Sequence, residues 1–347
     1  MGTAVGYDGA VAAGRRAISH PTELVWLIRQ ATLSPSGHNI QPWRFRVGER
    51  QIDIMADLSR RTPVVDPDDH HLFVSLGCAA DTLAIAAAAH GKPGLLVEDP
   101  GSSSIGPTFE DRPAVPSDMV DAIGRRQSTR AVHDDSPVLP AILDELPRAA
   151  ATSGVEVVLL TDRTSMGRVR DLVLAGNSTQ ISDPAFVREL KAWMRFNPRA
   201  AADTGHGLFS AASGQPILPC RAVPGRAGPG WAGLARCCST SSSAPGRRTL
   251  RTRRSSRHRR ASRCSSSSVT TAAMGARGPR LSAPRAQSDR ARPEARLHEP
   301  AGRSRGPAPR ACIPGRAAGR RPDIVMRFGR DPTLPDTARR PVRAVLA

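Results

Sequence analysis

Between Cys220 and Arg320 the chain has no lysine, one aromatic (Trp231) and only three acids, Asp289, Glu294 and Glu299, against 23 arginines. A stretch so poor in large apolar side chains cannot bury enough surface to offset the entropy of ordering it, which excludes an ordinary packed core there. That stretch has a net charge of +20 and the rest sums to −1, so the high pI, near 11.4, belongs to one segment. The basic average therefore does not make the whole protein a nucleic-acid binder. Cysteine is scarce elsewhere: Cys78 stands alone, with Cys220, Cys237, Cys238, Cys264 and Cys312 inside the stretch. This usage argues against a disulfide framework and for a reducing, cytoplasmic setting, and the spacing resembles no zinc pattern. No apolar run approaches the roughly 18 residues of a membrane span, and the start of the chain lacks a signal pattern, so no membrane is expected as partner. Leu83–Ala89 reads instead as part of a buried helix.

What is present outside the stretch is patterned. Residues 1–18 are Gly/Ala-rich and read as a mobile arm. Pro21–Leu33 has a helical apolar face, with Ser19 or His20 before a first-turn proline. Trp43–Val47 and Gln51–Met55 alternate as two strands about a Gly48-Glu49-Arg50 turn. Pro67–His90 predicts a small-residue helix and Gly94–Glu98 a strand, with a loop through Pro116. A second cycle follows: helices over Ser117–Arg126 and Pro137–Ala150, a strand Val155–Thr161, then helices Arg163–Ile181 and Asp183–Met194. Gly205–Pro219 is turn-rich, and Ile324–Gly329 predicts a last strand. The domains are therefore 1–18 (arm), 19–116 (first half), 117–219 (start of a second half), 220–319 (aberrant or disordered) and 320–347 (final strand and basic tail).

The most specific run is Ser34-Pro35-Ser36-Gly37-His38-Asn39-Ile40-Gln41-Pro42-Trp43-Arg44-Phe45. A helix ends in a turn, and the amides of Asn39 and Gln41 stand beside a fixed-φ proline and a large aromatic. Amides both donate and accept, which suits the edge of a planar heteroaromatic ring. The same composition also fits an ordinary helix-to-strand turn with a core tryptophan. A second run, Arg125-Arg126-Gln127-Ser128-Thr129-Arg130, supplies forked guanidinium donors and a hydroxyl suited to a phosphate, or else a solvated basic helix end.

Together these runs resemble the nitroreductase superfamily, and the Ser-Gly-His-Asn-x-Gln-Pro-Trp-Arg-Phe form resembles its Acg-type actinobacterial branch. Arg327-Phe328-Gly329 and Arg339-Arg340-Pro341-Val342 are similar to that family's last strand and basic tail. The resemblance covers residues 1–219 and 320–347; His133 departs from it where an aromatic is expected. It implies an α+β fold, with helices around a mainly antiparallel sheet and two related halves like a fused dimer. It also implies non-covalent FMN and NAD(P)H as electron donor, with a nitroaromatic or quinone as small-molecule acceptor. Ser36, Asn39, Gln41, Pro42, Trp43, Arg44 and Phe45 would meet the ring and ribityl. Arg126, Ser128, Arg130, Arg327, Arg339 and Arg340 would serve phosphate and the cofactor's surroundings. The cofactor carries the redox chemistry, so no residue is expected as general acid or nucleophile. The chain would be a monomer resembling a fused dimer, or a homodimer.

The Arg-rich segment admits three readings: a basic nucleic-acid insertion, a flexible linker, or a reading frame that slips near Pro219 and returns near Gly319. The first has charge but little stacking surface, so nucleic acid is disfavoured. The third accounts best for arginine without lysine, as a GC-rich gene read out of frame would give. Codons for Ser288–His298 exist that, read one nucleotide later, give Ala-Thr-Ala-Leu-Gly-Leu-Arg-Pro-Ala-Phe-Met. Continued over Glu299–Arg305 they give Asn-Gln-Pro-Val-Glu-Val, similar to a family segment. On that reading the second half lacks elements, its apolar faces stay uncovered, and the chain folds poorly and holds FMN weakly or not at all. The alternatives in function are FMN sequestration or storage without turnover, and nucleic-acid binding through the segment.

Overall fold

The computed structural model describes residues 2–15, 23–99, 104–128, 130, 133, 136–150, 155–213, 270–276, 324–329 and 334–347. They divide between two compact units, one of residues 1–132, 180–241 and 331–347, the other of 133–179 and 242–330. Helices and antiparallel sheets together make the architecture α+β.

In the first unit, β1 (Trp43–Val47), β2 (Ile52–Ala56), β3 (Gly94–Asp99) and β4 (Ser104–Phe109) form an antiparallel sheet in the order β1-β2-β4-β3. The period of two does the sorting: Trp43 and Phe45 point inward and Arg44 and Arg46 outward along β1. Against that face lie α2 (Glu23–Ala31) and α3 (His70–Ala89). Helix α3 buries Leu72, Leu76, Ala79, Ala80, Leu83, Ala86 and Ala87, a stripe at three- and four-residue spacing. By length and apolarity α3 would also pass for a membrane span, but this stripe packs into the core of the unit. Asp66 accepts from the amides of His71 and Leu72, closing the first turn of α3 at 3.0 Å each. The last residues add a short parallel bridge to β1, with Phe45 N donating to Val345 O at 2.7 Å.

Strand β4 replaces part of the loop expected through Pro116. Its Ser-Ile-Gly-Pro-Thr-Phe sequence carries two turn-forming residues, which hid it. Both have a place: a Cβ at Gly106 would collide with the Ile52 carbonyl, and pairing to β2 covers only Ser104 and Ile105, so Pro107 sits beyond that ladder. The expected Gly/Ala-rich arm also differs, forming α1 (Gly2–Arg15). Propensity would not hold it, but Tyr7 and Val11, four residues apart on one face, are buried with Phe209, Ala201 and Ala212. The expected cap and proline at 19–21 lie outside the described residues. Further helices are α4 (Asp118–Arg125), capped by Ser117, α7 (Pro184–Trp193), capped by Asp183, and α8 (Pro198–Thr204), capped by Asn197. Strands β6 (Met194–Arg195) and β7 (Leu208–Phe209) make a small parallel pair.

The second unit contains α5 (Pro140–Ala149), β5 (Val155–Leu160) and most of α6 (Arg163–Ile181). Strand β5 pairs antiparallel with β8 (Thr270–Ala276), which pairs antiparallel with β9 (Ile324–Phe328). Strand β8 corrects the sequence reading, which left 220–319 without a strand. The run from Cys264 to Ala276 has no charged residue and includes Val269-Thr270-Thr271, so locally it can enter a sheet. The remainder of that segment lies outside the described residues. Among the described residues this unit buries Leu160 and Met166, with Val158 and Val169 against them.

Candidate functional site

The turn after α2 is held in an unusual backbone state. His38, Asn39 and Gln41 have φ of 48°, 54° and 52°, the left-handed region that side chains other than glycine seldom occupy. Such strain persists only where surroundings over-determine it, and it clusters at functional sites. Here the restraints are visible. Gln41 N donates to Ser36 Oγ at 3.0 Å, and Asn39 Nδ2 donates to the carbonyls of Gly207 and Ala338, both at 3.1 Å. Gln41 Nε2 donates to Gly205 O at 2.8 Å, while its Oε1 accepts from Arg340 N at 2.9 Å. Glycine is needed at both crossings. Gly205 and Gly207 also have positive φ, and a Cβ would stand 2.8 Å from Arg339 O and 2.6 Å from Trp193 O respectively.

One side of this turn opens on a pocket of about 90 Å³ within the first unit. Its walls include Ser36, His38, Asn39, Arg126, Ser128, Arg130, Asp336, Thr337 and Arg339. Arg126 and Arg339 both donate to Leu33 O, at 3.2 and 3.1 Å, which ties two distant guanidiniums to the end of the same helix. Arg126 also donates to Ser128 Oγ at 3.1 Å, and Arg339 to Thr337 Oγ1 at 2.8 Å and to Asn39 Oδ1. Gln127 and the hydroxyl of Tyr7 fix Asp336 and its backbone, each at 2.8 Å. His38 is kept neutral: burial first, then Arg130 and His71, pull its pKa down to about 4. The pocket thus offers three guanidiniums against one carboxylate, a balance of two positive charges.

A phosphate monoester carries about −1.5 to −2 at neutral pH and several acceptor oxygens, so the donor set fits that group. Ligand pockets usually enclose about 300 Å³ or more. The space here suits the phosphate end of a cofactor rather than a whole flavin nucleotide.

Of the residues expected to bind, Ser36, Asn39, Arg126, Ser128, Arg130 and Arg339 come together on this pocket. Gln41, Pro42, Trp43 and Phe45 lie behind it, shut off from solvent in the interior. Arg44 is exposed and donates to Leu346 O at 3.1 Å. Arg340 points away, donating to Gln41 O and Ala344 O, and Arg327 lies on β9 of the second unit. Sequence reasoning missed His38, Gln127, Asp336 and Thr337 as lining residues. The first two stand inside the quoted motifs and were legible by position; the last two come from a stretch with no pattern of its own.

No family model matches the chain. Two curated proteins of Mycobacterium tuberculosis, from strains CDC 1551 / Oshkosh and H37Rv, are similar to it. Both bear the name "Putative NAD(P)H nitroreductase" and are 28% identical over 208 residues. The match covers 58% of this chain and 58% of each relative, so the chain spans under two thirds of the proteins it resembles.

Proposed function

We propose, from the membership of the nitroreductase family which that similarity supports, that the chain is an FMN-dependent oxidoreductase of nitroreductase type. The observation that carries the proposal is the meeting of two motifs far apart in sequence, Ser36–Asn39 and Arg126–Arg130, with Arg339 on one cationic pocket. When bound, FMN supplies the redox chemistry, accepting a hydride from NAD(P)H and reducing a nitroaromatic or quinone. The chain's own residues bind and orient. Arg126, Arg130 and Arg339 would neutralise the phosphate, and the hydroxyls of Ser36, Ser128 and Thr337 would complete its contacts. His38, neutral at physiological pH, lines the pocket without adding a fourth charge to be desolvated. Ser36 and Asn39 would meet the ribityl and ring. Gln41, Pro42, Trp43 and Phe45 act from behind by fixing the turn, since their side chains are spent in the interior. With Cys78 the one cysteine outside 220–319, a reducing, cytoplasmic setting accompanies this reading.

The same reading makes the chain as written impaired. A slipped frame over 220–319 removes the helices that would cover the second sheet, and the two related halves of a fused dimer are then incomplete. The test is to purify the chain and titrate it with FMN, then follow NADH and NADPH oxidation with a nitroaromatic acceptor. Measurable FMN binding lost in Arg130→Gln supports the proposal. Binding without oxidation of either donor points to flavin storage, and no FMN binding even when residues 220–319 are replaced by the product of the adjacent reading frame overturns the proposal.

A further inference from the structure

The strained turn has a second cationic face, and none of the phosphate-pocket residues lies on it. The adjacent carbonyls of Ile40 and Gln41 accept from Arg60 Nε and from Arg340 Nη1, which brings those two guanidiniums together. Arg60 lies over the Trp193 ring, 5.2 Å from its centroid, within the range of a cation–π contact. Its Nη2 is buried and has no hydrogen-bond partner among the described residues. The Trp193 ring meets His206 edge-on at 5.7 Å, and Arg195 Nη2 lies 3.2 Å from His206 Nδ1. Against three guanidiniums the surroundings set the carboxylate of Asp57, 3.8 Å from Arg340. Burial and mutual repulsion lower the Arg60 pKa to about 10, and burial, Arg60, Arg195 and Arg340 lower that of His206 to about 4. Stacking like charges around an orphaned donor is costly unless something answers them.

We propose that Arg60, Arg195, Arg340 and His206 form a second oxyanion site, taking a phosphate or carboxylate group beside the Trp193 ring. The anion satisfies Arg60 Nη2 and offsets the two uncompensated positive charges. The site stands on different side chains from the phosphate pocket and survives or fails apart from it.

The test follows the His206 imidazole by NMR in the full chain with 13C-labelled histidine, using His206→Asn to identify its resonance. Titrations with inorganic pyrophosphate and with benzoate separate phosphate from carboxylate ligands. Binding of the right anion should raise the His206 pKa by about one unit or more, because a nearby opposite charge favours the imidazolium. Arg60→Gln should weaken that response by about tenfold or more, as expected for loss of a charge-assisted contact. Arg130→Gln, in the other pocket, should leave it in place. A His206 pKa that neither anion moves overturns the proposal, even if Arg60→Gln fails to fold. So does a response abolished by Arg130→Gln and kept in Arg60→Gln.

Discussion

On the four-stranded sheet, Trp43, Phe45, Ile52 and Ile54 are fully withdrawn from solvent beneath α2 and α3. The three-stranded sheet leaves Val325 42% and Met326 46% exposed, and its described buried cluster centres on Leu160 and Met166. Both sheets obey the same antiparallel pairing, so hydrogen bonding does not distinguish them. The difference, among the described residues, is how much apolar surface the helices bring: α6 sets only Met166 and Val169 against β5. The first sheet is covered by residues 23–31 and 70–89. The second sheet borrows its middle strand from an Arg-rich stretch that has little apolar periodicity to give. Strand pairing can be satisfied by local sequence alone; a core cannot.

The strongest way to break this contrast is to replace residues 220–319 with the product of the adjacent reading frame. If the frame reading is right, the second unit gains a cooperative unfolding transition of its own, about 5 kcal/mol or more, the usual stability of a domain. Denaturant melts read with a probe in each unit would reveal it, and an unchanged profile would discard the slipped frame. Next in size is Trp43→Ala, expected to cost about 3–5 kcal/mol from lost burial and the cavity left behind. A cost under about 1 kcal/mol would mean that the first core is looser than described. Acidification should act on the first unit, where His38 and His206 both lie. Their folded pKa values, near 4, lie below the ordinary 6.5, so the unfolded chain takes up protons first. Stability is then full above about pH 6.5 and falls as pH drops toward about 4, which melts at constant ionic strength would record. The smallest effect belongs to the open sheet. Val325→Ser should change stability by no more than about 0.5 kcal/mol, because the side chain is already half in water. A larger loss would show that β9 is covered after all.

Periodicity carried most of the first unit. Strand β1, helix α3 and helix α7 after Asp183 follow from alternation, apolar spacing and an N-cap residue. Three of the elements that escaped did so for local reasons. Helix α1 has a poor intrinsic preference and depends on Tyr7 and Val11 finding Phe209, a contact no neighbouring residue announces. Strand β4 is disguised by Gly106 and Pro107, and β8 by the arginines on either side of it. The candidate site divides in the same way. Its arginines and serines sit in compact motifs readable by chemistry, whereas Thr337 and Asp336 reach the pocket only through the chain's return past Ala338. Gln41 shows the limit of reading chemistry from composition: its amide suits a ring edge, yet it is consumed in joining residues 205 and 340 to the turn.

The claim on which the rest depends is that the pocket at Ser36, Arg126, Arg130 and Arg339 receives the phosphate of FMN. Equilibrium titration of the purified chain with FMN and with riboflavin, which lacks that group, tests it most directly. Two charge-assisted contacts alone predict that FMN binds about a hundredfold tighter. Equal affinities, or riboflavin bound and FMN excluded, would contradict it.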